Sequence, residues 1–451
     1  MIVPRQRLVL WALAAPLLAS VAALAPGTLA ICLAAGLALL GVALADAALS
    51  LGRLDGVRAS LPTLVRLVHG REGTVPVTLE AAGERPVTVR LGLPFPDSFA
   101  TETDAIETTL PAGKAATAAA ACTPRRRGSY VIDRVYLERA SRLGLWSVRA
   151  VRPTTCEVRV YPNLRRDRRL LAALFLNRGS YGIHAQRQVG KGREFEQLRG
   201  YIPGDGLEDI HWKATAKRGH PISKVYQIER TQEVYVILDA SRLSARAPGD
   251  VTRESEAEGD APARTQAERF IQATLALALA AEQQNDHFGL AVFSDRVHRF
   301  LPARGGATHF GACREALYTL EPHLVNPNFD DLATFLRLRI RRRALLVFLT
   351  NLDDPVMAEG FARAVRLLGR HHLLLVNMLT PPGVRPLFTG PPLEHANELY
   401  GRLAAHLQWR DLRELDRSLH RLGATFSLLD NEQMSVQLVS QYINVKQRQA
   451  L

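Results

Sequence analysis

Cysteine is scarce. Four occur in 451 residues, Cys32, Cys122, Cys156 and Cys313, and none forms a C-x-x-C pair. Neither a zinc site nor a disulfide framework is indicated, although Cys122 and Cys156 fall in one β-rich stretch; free thiols in a reducing compartment are the expectation. The chain also lacks a G-x-S-x-G elbow, a Walker lysine loop, H-E-x-x-H and G-x-G-x-x-G, and Arg304-Gly305-Gly306 is too short for a phosphate loop. No spacing of Ser, His and Asp points to a triad, so catalysis is not expected. Aromatic residues are 6% of the chain, and no aromatic-interleaved basic stripe runs through the arginine excess that sets the net charge at +13. Nucleic acid is therefore not an expected partner.

Long apolar runs are present at the start. Leu8 to Leu24 is almost wholly apolar, Pro26-Gly27-Thr28 breaks it, and Leu29 to Leu49 is apolar again, with Asp46 its only charge. Each run approaches the length needed to cross a hydrocarbon core of about 30 Å. The spacing predicts two transmembrane helices joined by a tight turn over residues 1–50. A signal peptide is the alternative for the first run, with Arg5 and Arg7 as its basic start. Arg5 and Arg7 precede the first run, Arg53, Arg58 and Arg66 follow the second, and the turn carries no basic residue. The positive-inside rule then predicts a multi-pass protein of the inner membrane with its soluble body in the cytoplasm.

The rest divides by rhythm. Residues 51–69 read as a juxtamembrane segment with a short helix. Residues 70–162 alternate over short runs such as Val75–Glu80, Pro86–Leu91 and Glu157–Pro162, without helical periods between them, which predicts a small β-sandwich. The alanine-rich stretch from Ala112 to Ala121 reads as a loop. Residues 163–232 form a distinct central segment. From 233 to 451 buried-type strands (Val234–Leu238, Ala344–Leu349, His372–Asn377) alternate with helical patterns, predicting a doubly wound α/β domain; residues 245–266 read as a disordered insertion.

The central segment carries Gly190-Lys191-Gly192-Arg193-Glu194-Phe195, Arg199, Tyr201, Pro203-Gly204-Asp205 and Ile210-His211-Trp212-Lys213-Ala214-Thr215-Ala216, and a strand ending in Asp239-Ala240-Ser241 follows. This order resembles the domain of unknown function 58 family, whose members carry G-x-G-x-E-F/Y, then P-G-D, then I-x-W-K-A-T-A, and finish in a von Willebrand A-like domain. Two positions depart from that pattern: Glu208 stands where Arg is frequent, and His211 where Asp or Asn is frequent. Arg193, Glu194, Phe195, Arg199, Tyr201, Gly204, Asp205, Trp212 and Lys213 are the signature candidates. Their charged members read as a buried ion-pair network docking the segment rather than as a catalytic cluster.

The resemblance also implies a divalent-metal site at the carboxyl edge of the sheet. Asp239 and Ser241 match its first positions and Thr308 its loop threonine, whereas Leu243 and Asn351 replace expected oxygen ligands. Weak, water-rich Mg²⁺ binding is the most this set predicts, and no other cofactor is expected. By the same resemblance the chain is a membrane-anchored, non-enzymatic scaffold or adaptor partnering a MoxR-type AAA+ ATPase in protein assembly or cell-envelope processes. A cell-envelope enzyme using the signature and a metal-dependent adhesion-type protein are the alternatives.

Overall fold

The structure, a computed structural model, describes all residues except 25, 53, 83–85, 102, 104, 180–188, 203–205, 228–231, 248–264, 390–395 and 449–451. It divides into two compact units, with Met1–Asn163 in the first and the described residues from Leu164 onward in the second.

The first unit corrects the expected arrangement of two spans followed by a small sandwich. The first apolar run is split at Leu13 into α1 (Gln6–Ala12) and α2 (Ala14–Leu24). Among the described residues, only α3 (Leu29–Ala48) is long and apolar enough to cross a membrane. Residues ahead of α1 are already sheet: β1 (Ile2–Pro4) pairs antiparallel with β10 (Trp146–Tyr161). The expected juxtamembrane helix is instead β2 (Val57–Ser60) and β3 (Leu64–Val68). Leu-Val-Arg-Leu-Val alternates inward and outward with period two, which suits a strand better than a helix. The chain continues through β4 (Gly73–Ala81), β5 (Val87–Gly92), β6 (Phe99–Ala100), β7 (Ile106–Leu110), β8 (Ala115–Pro124) and β9 (Gly128–Ala140). One six-stranded sheet runs β1-β10-β9-β5-β7, with β3 added parallel to β10; the other runs β2-β4-β8-β6. Val77 and Leu79 of one sheet meet Val89, Leu91, Val135 and Leu137 of the other in a closed core. The predicted alanine-rich loop is β8, in register with β4 from Gly73↔Cys122 to Glu80↔Ala115. Alanine is depleted in strands generally; here Ala118, Ala120 and Cys122 point inward against the opposing sheet. All four cysteines are free, and burial pushes the Cys122 thiol up to about 11.

The turn from Ser141 to Trp146 holds the ends of the apolar helices. Trp146 Nε1 donates to Ala43 O at 2.8 Å, Leu143 N donates to Asp46 Oδ1 at 3.1 Å, and Arg5 N donates to Leu145 O at 2.9 Å. The apolar segment thus leaves the sheet at β1 and returns to it at the end of α3.

The second unit opens with α4 (Arg165–Gly179), then β11 (Val189–Gly200), α5 (Trp212–Arg218) and β12 (Ile222–Gln227), where β11 and β12 form an antiparallel pair. The main sheet follows: β13 (Glu233–Asp239), α6 (Gln266–Gln283), β14 (His287–Phe293), β15 (Val297–Arg304), α7 (Ala307–Leu317), α8 (Phe329–Arg339), β16 (Leu345–Leu349), α9 (Pro355–Leu368), β17 (Leu373–Leu379), α10 (Ala396–Arg421), β18 (Ala424–Leu429) and α11 (Met434–Gln447). The strand order is β15-β14-β13-β16-β17-β18, parallel except for β15. Helices cover both faces, so Val234, Val236 and Leu238 pack into one core and Tyr235 and Ile237 into the other. This is why β13 reads as a continuous apolar run. Most of the predicted insertion, 248–264, lies outside the described residues.

Candidate functional site

In the main sheet the chain leaves β13 toward β14 on one side, while β16, β17 and β18 are laid down on the other. Such a reversal of strand order opens a crevice at the carboxyl ends of the central strands. Asp239 ends β13 there, beside the end of β16, because Leu238 pairs with Leu349. The Asp239 carboxylate is fully buried. Its Oδ1 accepts from Ser241 N at 2.8 Å and its Oδ2 accepts from Thr350 Oγ1 at 2.6 Å. Burial pushes the Asp239 carboxyl above the usual range, and the donors from Thr350 and Ser241 offset part of that rise.

The surrounding loops are tied to one another by short polar links. Ser241 Oγ accepts from Leu243 N at 3.3 Å, and Ser244 Oγ donates to Ser241 O at 2.9 Å. Asn351 Nδ2 donates to Gln266 Oε1 at 3.3 Å, and Arg246 Nη1 donates to Asp353 Oδ2 at 2.5 Å. After β14, Ser294 Oγ lies 2.7 Å from Asp295 Oδ1 and 2.6 Å from His298 Nε2. The His298 ring stacks on His323 at 4.5 Å between centroids. Burial, then the neighbouring His323, holds His298 below the usual imidazole range.

Asp239 and Ser241 are therefore brought together, as expected, but Thr308 is not with them. β15 is antiparallel, Arg304 pairs with Phe288 at the start of β14, and Thr308 follows on the first turn of α7 at the amino edge. The hairpin carries it back along a seven-residue strand, roughly 20 Å at about 3.3 Å per residue, from the aspartate. The hydroxyl that does reach Asp239 is Thr350, which the sequence reading passed over; its position directly after the β16 apolar run was the available signal. Among the described residues, no group of three or more His, Cys, Asp or Glu side chains is placed to hold a metal. The oxygens that meet at Asp239 are its own carboxylate and the Thr350 hydroxyl, with the Ser241 side chain next to them, a set that fits only a hydrated hard cation.

The central segment is built differently. His211 Nδ1 accepts from Ala214 N at 3.1 Å and caps α5, and Gly219, at φ 71°, closes its other end. Asp and Asn are favoured caps because their side chains accept such a bond; His211 performs the same task. Ile222 N donates to Thr215 Oγ1 at 3.0 Å and His211 N donates to Ile222 O at 2.8 Å, fastening α5 to β12. On this platform Trp212 is 68% exposed and Leu207 74% exposed. Lys213 is also exposed, and Tyr201 and Arg199 are half-buried. Lys213 thus lies outside any buried ion-pair network, contrary to that expectation. Gly204 and Asp205, and the side chains of Arg193, Glu194 and Phe195, lie outside the described residues.

Residues 197–384 match the family described as "Protein of unknown function DUF58". The match takes in α5, the exposed Trp212 and the sheet as far as β17. The chain is also similar to an uncharacterized protein, Rv1480, of Mycobacterium tuberculosis (strain ATCC 25618 / H37Rv), at 22% identity over 207 residues. That alignment covers 45% of this chain and 60% of the relative, so the chain spans less than two thirds of the curated protein it matches. Uncharacterized protein Mb1516 of Mycobacterium bovis (strain ATCC BAA-935 / AF2122/97) matches to the same extent. Among solved structures, the conserved hypothetical protein BatB from Bacteroides thetaiotaomicron aligns with 48% of this chain and 99% of its own at 14% identity and a TM-score of 0.31. An aerotolerance-related membrane protein from Bacteroides fragilis NCTC 9343 aligns with 47% of this chain and 98% of its own, at 16% identity and a TM-score of 0.29.

Proposed function

We propose that this chain is a membrane-anchored, non-enzymatic scaffold or adaptor that works with a MoxR-type AAA+ ATPase in protein assembly or cell-envelope processes. The observation that carries the reading is the pair Trp212 and Leu207, both well exposed on a segment whose backbone is capped and fastened at both ends. A large aromatic held rigidly in solvent costs little entropy to bury against a partner, and such residues anchor protein interfaces. At the sheet's carboxyl edge, by contrast, Asp239 spends both oxygens on internal hydrogen bonds. The test is affinity capture from membranes with native chain and with Trp212→Ala. Recovery of a MoxR-type ATPase by the native chain and its loss with the variant is expected; equal recovery, or none by either, sinks the reading.

The apolar segment that contains α3 anchors the chain, and because β1 and β2 at its two ends belong to one unit, both ends and the body lie on the cytoplasmic side. Supporting this, Arg5 and Arg7 beside β1 and Arg58 on β2 flank the apolar segment, and both strands belong to the same unit. Protease added outside intact cells should leave the body uncut. Weak Mg²⁺ binding at Asp239 and Ser241 fits the donor chemistry. A thermal midpoint raised slightly by millimolar Mg²⁺ in the native chain, and unmoved in Asp239→Ala, is the expected result.

A further inference from the structure

The amino edge of the main sheet bears a concentration of exposed arginine that plays no part in the adaptor reading. The starts of three neighbouring strands are aligned there, with Leu345 opposite Leu373 and Leu374 opposite Ala424. Adjacent strands are about 4.8 Å apart, so the corners leading into β16, β17 and β18 stand side by side. Gly369 marks their closeness: a Cβ on it would meet Leu422 O of the next corner at 3.0 Å. The first corner contributes Arg341, Arg342 and Arg343, the second Arg370 and the third Arg421, all exposed. Arg342 is 83% exposed, and its acidic neighbour Glu233 is 3.9 Å away. Next to the first corner Leu338 is 70% exposed between Arg337 and Arg339.

We infer that this edge is a docking face for the anionic headgroups of a lipid surface. Exposed arginines over several loops give a broad positive face rather than a cleft for one small anion, and each basic residue near an anionic bilayer favours contact about fivefold. Leu338 supplies an apolar side chain that can enter the headgroup layer, as interfacial segments require. Single-stranded nucleic acid wants exposed aromatic rings to stack its bases, and these corners carry no Phe, Tyr or Trp; Phe335, on the helix before the first corner, is half-buried with the Arg339 guanidinium 5.6 Å from its ring centre. The same polypeptide carries α3, whose insertion would keep this face at high effective concentration near a bilayer.

The experiment uses the full chain reconstituted into vesicles, with Cys32→Ser and Leu338→Cys labelled by an environment-sensitive dye. Vesicles contain phosphatidylcholine alone or with about one third phosphatidylglycerol, each with a lipid-borne quencher. The expected result is quenching only with phosphatidylglycerol, lost in about 0.5 M salt, where the Debye length falls below about 5 Å. Arg341→Glu, Arg342→Glu and Arg343→Glu together should weaken contact about a hundredfold and return the signal to the neutral-lipid level. If that variant misfolds, Arg370→Glu with Arg421→Glu serves the same purpose. Equal signals in the two lipid mixtures, or quenching that survives charge reversal, overturns the inference. So does a short oligonucleotide that binds the labelled chain on neutral vesicles while phosphatidylglycerol leaves the dye unquenched.

Discussion

Both ends of the main sheet bury an aspartate, and the two are held in opposite ways. Asp286, at the amino end of β14, receives Lys446 Nζ at 2.8 Å, the Tyr442 hydroxyl and Gln232 N at 3.0 Å. Asp239, at the carboxyl end of β13, receives the Thr350 hydroxyl and donors of Ser241, and no salt bridge reaches it among the described residues. Asp286 is neutralised by a cation on α11 and locks the last helix to the sheet. Asp239 is compensated by dipoles alone, so burial raises its pKa. A buried carboxylate with its own cation is structural furniture; one without a cation can respond to a proton or a metal ion.

Removing the cation's partner should have the largest effect. Asp286→Ala leaves the buried Tyr442 hydroxyl without its acceptor and Lys446 with only Gln284 O, and breaking a buried pair costs about 3–5 kcal/mol. Urea denaturation in detergent should show that loss, and a cost below that of Asp239→Ala would erase the distinction. Asp239→Ala should cost about 1–3 kcal/mol, the penalty of leaving the Thr350 hydroxyl and Ser241 N–H unsatisfied.

The two aspartates also differ in what pH does to Asp239. Its folded pKa is raised above the unfolded value near 3.9. The native state therefore holds a proton that the unfolded chain releases. The contribution is fully present below the unfolded pKa and is lost as pH rises through the folded one. Stability measured from pH 4 upward should fall in that window for the native chain, and Asp239→Asn, which cannot titrate, should flatten the fall. An identical slope in both proteins would show that Asp239 does not titrate there. The smallest effect belongs to Trp212→Ala on the exposed platform, expected to move stability by no more than about 0.5 kcal/mol while removing the partner contact.

The alternation of buried strands and helices after residue 233 was legible, because a strand covered on both faces must be apolar throughout. The pairing of Asp239 with Ser241 was legible for a local reason: Ser241 N lies two residues along the chain and turns back onto the carboxylate. His211 was legible as a departure from the Asp or Asn frequent at that position, though its role as a helix cap needed the start of α5 to be seen.

Thr308 stood at a plausible distance along the chain, but the antiparallel turn into β15 reversed its direction and delivered it to the wrong edge. Thr350 reached Asp239 through the lateral pairing of β13 with β16, across 111 residues. The first apolar run counted as one span by composition, yet it is two shorter helices; hydropathy sums side chains and is blind to where a helix is interrupted. Ala112 to Ala121 read as a loop because alanine carries little strand signal by itself, and only the opposing sheet supplies a reason to bury its small side chains. Composition, periodicity and short-range hydrogen bonding were thus determined by the sequence alone. Which side chains share an edge, and which aspartate meets a lysine, was decided by strand order, since a parallel sheet joins residues far apart in the chain.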